Sequence, residues 1–192
     1  MRKTAPPPQP PPWLGSPSEF CSELALRSNG KRELPAQYKG EPPKFNEYAL
    51  HPIKTPRTAE AVLGKDTWLD DKQFERGVAK EAAKGPDFAG VYAVVVASCG
   101  YWCVNAVIAD VATGKSFPTP FVGVVGNSRV TGERRTIEPA ANSRLMIVRG
   151  SLEISYGQNF DDGLPGTFYY VWERDHLKLI RCDLAANSDS PH

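Results

Sequence analysis

No run of about 18 consecutive apolar residues occurs in the 192-residue chain, so the sequence predicts no transmembrane helix. Net charge is equally scarce: 23 basic and 22 acidic side chains leave +1. That balance argues against a nucleic-acid partner and against an anionic membrane surface. Histidine is sparse, with His51, His176 and His192 the only three. The shortage matters because a serine, cysteine or threonine nucleophile needs a base beside it. Neither G-x-S-x-G nor H-E-x-x-H occurs. Gly123, Gly126 and Gly132 follow neither the dinucleotide-binding nor the P-loop spacing, and the D-x-D-x-D-G-x5-E calcium loop is missing. The sequence therefore implies no cofactor and no metal.

Proline, by contrast, is abundant and lopsided. Seven of the 18 prolines precede Ser18, and twelve lie at or before Pro56. Residues 1–17 read as an extended proline-rich tail that builds no core, a linker rather than a ligand for a proline-binding module. Residues 18–184 are expected to form one globular domain, large enough to bury a core of its own, and 185–192 a disordered end. Met1, Arg2 and Lys3 are followed by Thr4, Ala5 and proline instead of the apolar stretch of a signal peptide. The chain thus reads either as a trimmed exported protein or as a cytosolic one.

The strongest structural signal is Gly85 to Phe117. Phe88–Ala97 is an apolar run with three successive valines, and Cys103–Val111 is a second; β-branched and aromatic content favours strands over a buried helix. Gly100, Tyr101 and Trp102 between them predict a three-residue hairpin loop. Such a hairpin sets Cys99 opposite Cys103, where strand spacing suits a disulfide. Two reduced, buried cysteines, a redox pair and a metal site are the alternatives, although C-x3-C is not the C-x-x-C of thiol oxidoreductases. The remaining cysteines, Cys21 and Cys182, would then be a second pair; four cysteines allow three pairings. Cysteines that pair favour export to the periplasm or beyond.

Asp70–Lys84 is the one main helix expected, placed before the first long strand. Asp70 and Gln73 suit a capping box, Phe74, Val78 and Ala82 form an apolar stripe, and Gly85-Pro86 stops it. Further on, Lys115–Val122 reads as a third strand, Arg144–Arg149 as a strand partnered across Gly150 by Leu152–Tyr156, and Thr167–Arg174 with His176–Cys182 as a final hairpin. Tyr38, Phe45 and Tyr48 are expected to tack the irregular 29–57 segment onto the core. The fold expected is α+β, mostly an antiparallel sheet of about six or seven strands arranged as hairpins.

The strings GPDFAGVY, SCGYWC and IADVATGK together resemble a family of bacterial exported domains with the pattern G-P-x-F-A-G-H-Y, C-G-x-x-C and D-x-x-T-G-K; GTFYYVW, 166–172, is similar to its second aromatic strand. The resemblance spans about half of the chain. It implies the β-rich fold and an exported location, and no activity, because the family has none established. Val91 stands where the family has histidine, so no role of that histidine carries over.

Two features are left for function. Tyr101 and Trp102 at the hairpin tip suit protein-binding anchors, against the alternative that they fold back onto the sheet. Asp161 and Asp162, with Glu133, Glu138, Glu153 and His176, are the material for a small hydrolase, although two aspartates before Gly163 are more simply a turn. Arg129, Arg134, Arg135 and Arg144 offer an anion site or, more simply, exposed loop charges. The reading is a non-catalytic exported binding module, inhibitor- or immunity-like, that contacts another protein. The alternatives are the carboxylate hydrolase and a thiol redox protein using Cys99 and Cys103.

Overall fold

The computed structural model describes residues 40–50, 79–80, 83–100, 103–125, 136–153 and 164–184. They form one eight-stranded antiparallel sheet: β1 (Tyr92–Gly100), β2 (Cys103–Asp110), β3 (Ser116–Pro118), β4 (Gly123–Val125), β5 (Thr136–Glu138), β6 (Leu145–Glu153), β7 (Leu164–Glu173) and β8 (His176–Leu184). The order across the sheet is β1-β2-β4-β6-β7-β8, with β3 on β2 and β5 on β6. The β-rich expectation holds, with eight strands instead of six or seven. The main helix does not: among the described residues only Ala79 and Lys80 are α-helical, with one helical bond from the Ala83 N–H to the Ala79 carbonyl, and Asp70–Val78 lie outside them. No helix among the described residues is long and apolar enough to cross a membrane.

Three local expectations are corrected. The first hairpin closes on the pair Gly100–Cys103, so its loop has two residues, not three, and Cys103 faces Gly100. Ser98 pairs with Val104, which leaves Cys99 as the extra residue of a β-bulge. Leu145–Glu153 is a single strand that runs straight through Gly150, not a hairpin. Continuity pays there because β6 changes neighbours: Thr136–Glu138 pairs with residues up to Arg149, and Gly123–Val125 with residues from Ser151. Gly150 sits at the change with φ +137°, and a Cβ there would lie 2.8 Å from Val124 Cγ1. The last hairpin turns on Arg174 and Asp175 alone, both at positive φ (48° and 66°), the backbone of a type I′ turn.

The main core lies on one face, where Val94, Ala106, Ile108, Val124, Met146, Val148, Leu152, Phe168, Tyr170, Trp172, Leu177 and Cys182 meet. Strand alternation accounts for most of this set. β8 needs a second bulge: Tyr169 pairs with Arg181 and Tyr170 with Leu179, so Ile180 is extra. That one residue lets odd-numbered Leu177 and Leu179 share a face with even-numbered Cys182. On the opposite face Leu145, Ile147, Tyr169 and Val171 are covered by Phe45, Tyr48 and Ile180. Phe45 and Tyr48, in a 3-10 turn, thus tack down their segment as expected; Tyr38 lies outside the described residues. In β1 and β2 the second face is buried too, including Ala93, Val95, Val107 and Ala109, in keeping with apolar runs that do not alternate.

Buried Ser143 anchors the 45–48 turn. Its hydroxyl donates to the Phe45 carbonyl at 2.8 Å, with the Tyr48 carbonyl at 3.3 Å, and accepts the Leu145 N–H. Arg181 secures the start of the same segment by donating to the carbonyls of Gly40 and Glu41, while its Nε holds Asp183.

Candidate functional site

The first candidate site is the outer end of the β1–β2 hairpin. Cys103 at its base is buried and disulfide-bonded, as is Cys182 inside the main core; no described cysteine is free. Neither faces the other: the register partners of Cys103 are Gly100 and Val125, and that of Cys182 is Phe168. Cys21 and the Cys99 side chain lie outside the described residues, as do Tyr101 and Trp102. Beside this end, Val96 is the exposed large hydrophobic residue of the described set, and Asn105 is buried with its Oδ1 unpaired among the described residues. Asparagine within C-V-N-A-V-I-A-D is the trace that Asn105 leaves in the sequence.

Two of the strings that carry the resemblance form turns. In G-P-D-F-A-G-V-Y, Asp87 Oδ1 accepts the Val94 N–H at 2.8 Å, and Phe88 and Tyr92 bond each other's backbones. Ala89 and Gly90 take positive φ and donate to carbonyls of the 140–143 loop. In D-V-A-T-G-K, Asp110 Oδ1 accepts the N–H groups of Ala112 and Thr113, and Gly114 has φ +75°. These side chains are occupied in shaping backbone, the ordinary use of Asp, Thr and Gly in turns.

A second cluster joins β1, β3 and β7. The rings of Tyr92, Phe117 and Trp172 pack edge to face, with centroids 4.9–6.1 Å apart. Lys115 Nζ lies 4.5 Å from the Phe117 centroid and 3.7 Å from Asp175 Oδ2. Burial pushes the Tyr92 phenol above its usual 10.0; a hydrogen bond from the Trp172 indole opposes this, and the charges of Asp175 and Asp110 add to it. A neutral phenol here is a hydrogen-bond donor, not a nucleophile.

Of the residues named for a hydrolase, Glu138, Glu153 and His176 are described, on β5, β6 and β8. Asp161, Asp162 and Glu133 lie outside the described residues, as do Arg129, Arg134, Arg135, His51 and His192. His176 Nδ1 lies 3.2 Å from the Arg174 carbonyl, Glu138 is paired with Arg149, and Glu153 faces Gly123 across strands. Among the described residues no group of three His, Cys, Asp or Glu side chains is placed to hold a metal ion. No family model matches the chain, and neither the curated proteins nor the solved structures give a match.

Proposed function

We propose that this chain is a non-catalytic exported binding module, inhibitor- or immunity-like, which grips another protein with Tyr101 and Trp102 at the tip of the β1–β2 hairpin. One observation carries the reading: the hairpin is a long ladder whose register runs from Tyr92–Asp110 to Gly100–Cys103, and a buried, disulfide-bonded cysteine adjoins the two aromatic residues. A two-residue loop held at a cross-linked base presents aromatic side chains at little cost in ordering. Disulfide-bonded cysteines support an exported location. The pairing that completes the proposal is Cys99–Cys103 and Cys21–Cys182.

Two experiments test it. The protein, made in the periplasm, is alkylated with and without reductant and its peptides are mapped by mass. No free thiol and a linked Cys99–Cys103 peptide are expected; four alkylated thiols overturn the exported reading. Wild type and the Tyr101→Ala/Trp102→Ala variant are then compared as baits for exported proteins, and the retained protein is purified for titration. Loss of at least about tenfold in affinity is expected for two truncated anchors. Equal binding by both baits rejects the tip as the contact.

A further inference from the structure

Lys115 is fixed through its backbone at the end of the 110–115 turn. Its carbonyl accepts the Asp110 N–H at 2.8 Å, and its own N–H reaches the Thr113 hydroxyl. Its side chain crosses from there to the Arg174–Asp175 turn. The ammonium stands 4.5 Å from the centre of the Phe117 ring and 3.7 Å from Asp175 Oδ2. An aromatic face and a carboxylate are the two elements that together recognise an alkylammonium ion.

The frame behind these two groups is firmer than an exposed ion pair requires. Phe117 is buried and packs edge to face with Tyr92 and Trp172. Asp175, at φ 66°, follows Arg174 at φ 48°, left-handed backbone that costs energy in a residue other than glycine. What stands in that strained position is a carboxylate in use. It faces the Lys115 ammonium, and it acts by charge and hydrogen bond on the Tyr92 phenol, which also takes the Trp172 indole N–H. Asp110 brings a second negative charge to bear on the same phenol.

The cation, by contrast, is loosely held. At 3.7 Å the pair is longer than a hydrogen bond, and the Lys115 and Asp175 side chains are 63% and 55% exposed. Both contacts of the ammonium are of the weak, solvent-open kind. A firm frame around a loosely held cation describes a binding site that the chain fills with a side chain of its own.

We propose that Phe117 and Asp175 form a site for an alkylammonium group, the end of a lysine side chain on another molecule, and that Lys115 is its resident competitor. The incoming ammonium takes the place of Lys115 over the Phe117 ring and beside Asp175. Lys115 then swings into solvent from a backbone that need not move. The site lies at the Tyr92–Asp110 end of the β1–β2 hairpin, and Tyr101 and Trp102 follow Gly100 at the other end. It therefore stands or falls apart from the contact proposed at the tip.

The test titrates butylammonium chloride, a lysine side chain without its backbone, into the isotope-labelled full chain, with sodium chloride at equal ionic strength as the blank. The signals followed by NMR are the Trp172 indole N–H and the backbone amides of residues 115–117 and 173–175. Lys115→Ala empties the site and leaves Phe117 and Asp175 in place, so it should show saturable shifts at these positions. Wild type should bind at least about tenfold more weakly, the advantage of a tethered competitor. Lys115→Ala/Asp175→Asn should also bind at least about tenfold more weakly than Lys115→Ala. Asparagine keeps the left-handed turn but removes the charge that draws the cation. Absence of saturable shifts in Lys115→Ala overturns the proposal. So does equal binding by Lys115→Ala and either other protein, because Lys115 is then no competitor or Asp175 no receptor.

Discussion

Tyr92 and Trp172 stand on β1 and β7, with three strands between them in the sheet order, yet their ring centroids are 4.9 Å apart. A flat sheet would hold strands so placed about 19 Å apart at the usual spacing. The sheet is therefore strongly curled, and Lys115–Asp175 spans the same seam on its exposed side. Trp172 also packs on Phe88 and Phe117, so it is the residue through which β7 meets β1 and β3. Trp172→Ala should cost about 3–5 kcal/mol in urea unfolding, whereas Lys115→Ala should cost at most about 1 kcal/mol, as befits an exposed ion pair.

Alkali should unfold the protein. Burial raises the phenol values of Tyr92, Tyr169 and Tyr170 above 10.0, most of all for Tyr170, which is fully buried. A value raised in the folded state favours the neutral form. The resulting stability is complete below pH 10.0 and is lost as pH rises beyond it. Tyrosinate absorbance from these residues should appear together with loss of the fold.

Tyr170→Phe should blunt that alkaline transition and leave neutral-pH stability unchanged or higher by about 1 kcal/mol, because the Tyr170 hydroxyl is buried without a partner among the described residues. Thermal melts at neutral and high pH separate the two effects.

Gly150→Ala should destabilise by about 1–3 kcal/mol, since the backbone is strained for any side chain and the new methyl meets Val124 and the Val125 carbonyl. The loss should be read by denaturant unfolding. A loss of protection in β4, seen by hydrogen exchange, would accompany it.

Ser143→Ala should cost about 1–3 kcal/mol, because it strips the Leu145 N–H of its acceptor and the Phe45 carbonyl of its donor. Proteolysis within residues 40–50 should rise with it.

Much of the sheet is legible in the sequence. The valine-rich runs and the aromatic T-F-Y-Y-V-W run appear as β1, β2 and β7 because side-chain type and turn residues agree there. What escapes is governed by single residues. The bulges at Cys99 and Ile180 leave no mark on composition, so Cys103 is read one position out of register. Gly150 looks like a turn because a glycine between two apolar runs has that meaning more often than a crossing point between neighbouring strands. For the candidate site, the sequence isolates Tyr101 and Trp102 as distinctive, but the bond from the Val94 N–H to Asp87 is not legible in it, since a carboxylate that bonds a backbone seven residues on has no local pattern.

The extra residue at Ile180 acts as a one-residue phase shift in β8. Two residues, not one, separate Leu179 from Cys182, and the two still serve the same face because Ile180 is left out of the pairing. Deleting Ile180 alone would make the ladder regular and keep Leu177, Leu179 and Cys182 together; what it would remove is the local bend and the cover that Ile180 gives the second apolar face. A single deletion elsewhere within 177–182 would instead turn the residues on one side of it to the wrong face, so β8 should tolerate a lost residue best at the bulge.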